Sequence, residues 1–171
     1  MLIYGIPDRG TMIKPRKLNY GDKVAVVAPS SATDLKSVEN GELKLRSLGL
    51  NPVMFPTCYT NYGHLSASDE ERARDINDSF RDESIKGIIC LRGGYGTTSI
   101  LNMLDYEMIK RNSKVFMGFS DITSLHTAFN QICGMVTFHG PMAASKNNIY
   151  GKRNSIKIRG RQIIFCCKLT C

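Results

Sequence analysis

The chain has 171 residues, 42% of them apolar and 22% charged, with a formal net charge of +8. These proportions fit one globular domain of ordinary size and exclude a disordered or collagen-like chain. The charge excess is local: residues 146–171 carry seven basic and no acidic side chains, whereas residues 1–145 are close to neutral.

Met1–Thr11 lacks the basic start and long apolar run of a secretory signal, so a cytoplasmic location is expected. No stretch approaches the roughly 18 apolar residues of a membrane-spanning helix. Lys23 to Ala28 is a β-branched apolar run ending at Pro29-Ser30-Ser31. It reads as a strand covered on both faces. Leu35 to Leu48 has helical apolar spacing and a stop at Gly49, with Gly41 weakening the helix. Pro52 to Phe55 reads as a short strand. Ser68-Asp69-Glu70-Glu71 is a capping box, followed by a helix with Ala73, Ile76 and Phe80 on one face. Lys86 to Leu91 is another buried-type strand, leading into the glycine-rich loop Arg92-Gly93-Gly94-Tyr95-Gly96. Thr97 to Leu104 and Tyr106 to Lys110 read as helices, and Val115 to Gly118 as a strand. A helix is predicted from Asp121 to Ile132, with Ile122, Leu125, Phe129 and Ile132 on one stripe. Met135 to Phe138 reads as a strand ending at His139-Gly140-Pro141. No internal repeat is present.

Strands alternate with helices, and the strand runs lack polar alternation. The fold class expected is α/β, a mainly parallel sheet flanked by helices. Ligands gather at the C-terminal ends of such strands. Three loops of that kind carry the unusual residues: Pro29 to Ser31, Arg92 to Gly96, and Phe119 to Asp121. Ser120, between a strand and a helix, has the placement of a nucleophile elbow, although Ile122 stands where a second glycine is usual. The bland alternative is a serine that only caps its helix. The glycine loop is neither a Walker loop nor a dinucleotide fingerprint, and it reads as a tight turn or as a donor of backbone amides. His126, six residues after Ser120, is poorly placed as a general base and reads as a core or surface histidine. His139 is a candidate for lining the site. Cys58, Cys90 and Cys133 read as reduced, buried thiols, and no zinc-ligand spacing is present.

Five segments together resemble the LD-carboxypeptidases, serine peptidases of the muramoyltetrapeptide carboxypeptidase type that include microcin C self-immunity proteins. They are Gly21 to Ser31, Asp69 to Asn77, Ile88 to Gly96, Lys114 to Thr123 and Val136 to Met142, in the family's order. The resemblance covers residues 12–145 and implies the N-terminal domain of a normally two-domain, homodimeric enzyme. It implies Ser120 as nucleophile and an oxyanion hole from the amides of Gly94, with Gly93 as the alternative, and Asp121. Gly93, Tyr95, Ser30 and His139 are the candidate substrate-binding residues. The implied reaction releases terminal D-alanine from a murein tetrapeptide during peptidoglycan recycling, with no metal and no cofactor. A small muropeptide is the expected partner, with no nucleic acid and no membrane.

The resemblance ends near Ser145. The family's other two triad members, a glutamate and a histidine, belong to its C-terminal domain, and residues 146–171 contain no Glu, Asp or His. That basic, cysteine-rich tail is expected to be the product of a frameshift or premature stop, which would leave an inactive fragment carrying only the nucleophile. The alternatives are a non-catalytic ligand-binding module, a microcin-type self-immunity fragment, and a nucleic-acid binder acting through the tail.

Overall fold

The computed structural model describes residues 12–145 and the backbone of three strands in the tail. The elements are β1 (Lys23–Val27), α1 (Leu35–Ser47), β2 (Asn51–Met54), α2 (Asp69–Arg81), β3 (Ile85–Cys90), α3 (Tyr106–Arg111), β4 (Val115–Gly118), α4 (Thr123–Cys133) and β5 (Thr137–His139). The tail adds β6 (Ser155–Arg159), β7 (Gln162–Cys166) and β8 (Lys168–Thr170). The sheet order is β2-β1-β3-β4-β5-β8, while β6 and β7 pair as a separate antiparallel ribbon. β1 to β5 run parallel and β8 is antiparallel to β5, so the sheet is mainly parallel as expected.

The missing polar alternation has a direct cause: both faces of the sheet are covered. Ala25, Val27, Ile88 and Phe116 point to a core with Ile76 and Phe80 of α2 and Leu125 and Phe129 of α4. Val24, Val26, Ile89 and Met117 point the other way, to Val38 and Leu45 of α1. Strands buried on both sides read as continuous apolar runs.

Two expectations change. Gly41 does not interrupt α1, because a β-carbon there would lie 3.1 Å from the Ala143 carbonyl carbon. The glycine admits a close backbone approach and gives up some helix propensity for it. Thr97–Met103 is a 3₁₀-helix and not an α-helix, with Thr97 and Ile100 as its buried residues. Their spacing of three matches the three residues per turn of that helix. The Ser68 capping box is present, with Glu71 reaching back to the Ser68 amide. Those bonds to Ser68 hold the half-buried Glu71 carboxyl below its ordinary pKa. Cys58, Cys90 and Cys133 are free and buried, and burial pushes the Cys58 thiol up to about 12. Among the described residues no helix is long and apolar enough to cross a membrane.

Candidate active site

β1 and β3 are neighbours, while β2 lies on the far side of β1, so the strand order reverses between them. A crevice opens at the carboxyl ends of the strands at such a reversal. The loops after β1, β3 and β4 meet there.

Ser120 follows β4 and Phe119, and its φ is +64°, the only positive φ of a non-glycine residue among those described. A side chain in this left-handed region costs on the order of 1 kcal/mol, and sites that hold one are commonly functional. Ser120 is exposed and opens a 3₁₀ turn, Ser120–Ile122, that runs on into α4. The helix thus begins as a tighter turn than the predicted α-helix from Asp121. Ile122 is fully buried and packs over Gly118, where a β-carbon would lie 2.7 Å from Ile122 Cγ2. The small residue the turn needs therefore stands two places before the serine, not two places after it.

The glycine loop lies against this turn. A β-carbon at Gly93 would sit 3.1 Å from Ser120 Cβ and 3.2 Å from Phe119 O. Gly94 has φ +133°, and a β-carbon there would sit 2.1 Å from Ser31 Oγ. A cleft of about 530 Å³ opens over Ser120, Gly93, Gly94, Arg92 and Phe119. A larger hollow of about 750 Å³ runs along α1 past Asn40 and Leu43, and neither Ser120 nor the glycine loop lines it. Backbone amides at the start of a helical turn lack internal acceptors. An anion forming at Ser120 would meet such donors.

The remaining predicted residues take different places. Ser30 is fully buried, and its Oγ lies 2.7 Å from Asp121 Oδ2 and 3.1 Å from Tyr95 O. Asp121 Oδ2 also accepts from the Thr97 amide at 3.0 Å, and Thr97 Oγ1 donates to Asp121 O at 2.6 Å. Ser30 and the Asp121 carboxylate therefore tie the three loops together from beneath. The Tyr95 ring is 68% exposed and stands beside His64, with centroids 6.0 Å apart. His139 is half-buried between Phe119 and His126, and neither His139 nor Tyr95 lines the cleft.

His126 is a core histidine. Gly118 O accepts from its Nε2 at 3.0 Å, leaving Nδ1 as a buried lone pair without a partner among the described residues. Burial, with a smaller effect from His139, pushes its pKa down from 6.5 to about 4. The unfolded chain therefore takes up this proton first as pH falls. The His126 contribution to stability is complete above pH 6.5 and is lost between 6.5 and about 4, by on the order of 1 kcal/mol for each pH unit. His126→Phe is expected to remove that slope from urea unfolding curves; an unchanged difference between pH 7 and pH 5 would refute the assignment. Burial raises the pKa of Asp75 and acts in the opposite sense, but it is common to both chains and cancels in the comparison.

One organising residue escaped prediction. Arg72, fully buried on α2, donates from Nη1 to Pro29 O at 2.7 Å and to Gly96 O at 2.9 Å. Its Nε donates to Ala67 O at 3.2 Å, and Nη2 pairs with the Asp69 carboxylate. It binds the loop after β1 to the far end of the glycine loop. The sequence held a signal for it: Arg72, Ile76 and Phe80 are spaced by four on the buried face.

The LD-carboxypeptidase N-terminal domain matches residues 24–140. A Bacillus subtilis (strain 168) relative named probable murein peptide carboxypeptidase is 42% identical over 132 residues, or 77% of this chain and 41% of the relative. Among solved structures, the MccF-like protein of Bacillus anthracis str. Ames superposes with a TM-score of 0.72 at 31% identity, covering 77% of this chain and 41% of that one. A muramoyltetrapeptide carboxypeptidase from Oxalobacter formigenes superposes with a TM-score of 0.65 at 32% identity, covering 72% and 41% respectively. This chain therefore spans 41% of the length of each of the three.

Proposed function

The chain belongs to the LD-carboxypeptidase family, and we propose that it supplies the nucleophile and the oxyanion-binding half of a serine peptidase that releases a terminal D-amino acid from murein peptides. The observation that carries this reading is Ser120, exposed at φ +64° against the Gly93 backbone. In this mechanism Ser120 Oγ attacks the scissile carbonyl carbon and passes its proton to a base. The amides of Asp121 and Gly94, with Gly93 adjoining, stabilise the oxyanion of the tetrahedral intermediate. The base returns that proton to the leaving nitrogen as the C–N bond breaks, the amino acid leaves as its amine, and water that gives a proton to the same base hydrolyses the acyl-serine.

The base is proposed to lie outside residues 12–145. His126 already donates Nε2 to Gly118 O, and no hydrogen bond joins a described histidine or glutamate to Ser120. A serine hydroxyl without such a partner is a weak nucleophile at neutral pH. The 171-residue polypeptide by itself is therefore expected to bind a D-alanine-ended murein tetrapeptide and to release no D-alanine. Gly93→Val, whose side chain would intrude on Ser120, is expected to abolish that binding in calorimetry. Tetrapeptide binding unaffected by Gly93→Val would refute the site. D-alanine release that disappears in Ser120→Ala would confirm the nucleophile and refute the outlying base. A microcin-type self-immunity substrate is the second reading, favoured by the likeness to the MccF-like fold. A peptide–nucleotide conjugate that displaces the tetrapeptide and binds more tightly would establish it.

A further inference from the structure

A peptide that ends in a free carboxylate brings a full negative charge into the cleft. Among the described residues that line it, Arg92 is the only cation. Two backbone carbonyls orient the guanidinium: Nε donates to Gly93 O at 3.1 Å, and Nη1 donates to Ala32 O at 2.9 Å. An arginine has five N–H donors in one rigid plane, so these contacts fix the plane and leave donors over. Among the described residues no carboxylate lies within ion-pair distance of Arg92. Asp34 lines the same cleft, but its carboxylate caps α1, accepting from the Ser37 amide and hydroxyl at 2.8 Å each. The cleft thus holds an oriented cation with no ion-paired carboxylate among the described residues, one residue before the glycine whose backbone lies against Ser120.

The terminal carboxylate of a carboxypeptidase substrate is separated from the scissile carbon by only the nitrogen and α-carbon of the leaving residue. Any anchor for it must stand in the same cleft as the nucleophile, as Arg92 does. We propose that Arg92 recognises the substrate's terminal carboxylate and so makes the site select chain ends. This rests on the peptidase reading above. A planar fork suits a carboxylate better than the point charge of lysine does.

The test titrates acetyl-L-Lys-D-Ala, and the same dipeptide with its C-terminus amidated, into the full chain and into Arg92→Gln and Arg92→Lys. The unaltered chain is expected to prefer the acid by about tenfold, a difference typical of one charge-assisted contact. Arg92→Gln is expected to bind both forms alike, with its melting temperature unchanged because the side chain is exposed, and Arg92→Lys to retain part of the preference. Acid preference that persists in Arg92→Gln overturns the proposal and leaves the peptidase reading standing. Equal binding of both forms by the unaltered chain does the same. Binding of neither form overturns both together.

Discussion

Arg72→Leu is expected to lower the stability of the chain by about 4 kcal/mol, the range seen when one partner of a buried charged network is removed. The ion pair with Asp69 is the smaller part of this, since that carboxylate is 39% exposed and screened by water. The larger part comes from carbonyls left without donors. Pro29 O and Ala67 O lose the Arg72 contacts at 2.7 and 3.2 Å, and leucine offers no replacement. A buried carbonyl stripped of its donor costs about 1–3 kcal/mol. Gly96 O retains Ser99 Oγ at 2.9 Å and suffers less. Arg72→Lys keeps the charge but not the fork that spans two loops, so it recovers only a minor share. The expected readout is a lowered urea midpoint at unchanged slope. A midpoint within experimental error of the unaltered chain would mean that the loops hold themselves together. Because Arg72 joins the Pro29 loop to Gly96, its loss should also weaken binding of the D-alanine-ended peptide by a chain that is still folded.

The parts of this fold that could be read in advance are those set by local chemistry. β1, β3 and β4 declare themselves because burial on both faces removes polar residues from the strands. α2 declares its start because Ser68 and Glu71 satisfy each other's backbone amides within four residues. Ser120 could be singled out because a strand end and a helix start bracket it. What stayed hidden depends on contacts between distant parts of the chain. Gly41 looks like a helix flaw until Ala143 is seen packed against it. Ser30 looks like a ligand contact from its loop position, yet Asp121 and Tyr95 draw its hydroxyl under the loops. Tyr95 sits on the right loop and His139 at the carboxyl end of β5, but their rings face other rings and neither lines the cleft. Strand order places a loop at the site, but it does not decide which way each side chain points.

The glycine loop yields the second large effect. Gly94→Ala is expected to cost about 3 kcal/mol, from two separable sources. One is conformational: φ is +133°, and a non-glycine residue forced to positive φ pays about 1–2 kcal/mol. The other is steric: the new β-carbon would meet Ser31 Oγ at 2.1 Å and Ser31 Cβ at 2.5 Å. Rotating the Ser31 hydroxyl aside does not relieve the second contact, and it would cost the bond that Ser31 Oγ accepts from the Tyr95 amide at 3.2 Å. Backbone must move, and the segment that would move is the one lying against Ser120. The double variant Ser31→Gly with Gly94→Ala separates the two sources. Without the Ser31 side chain, the alanine should cost only its conformational share, a coupling of about 1–2 kcal/mol in a double-mutant cycle. Strict additivity in that cycle would show that the loop gives way without resistance. A coupling of the expected size would show that Ser31 and Gly94 are packed as one unit, which would make the position of the proposed oxyanion donor a property of two loops and not of the glycine loop alone.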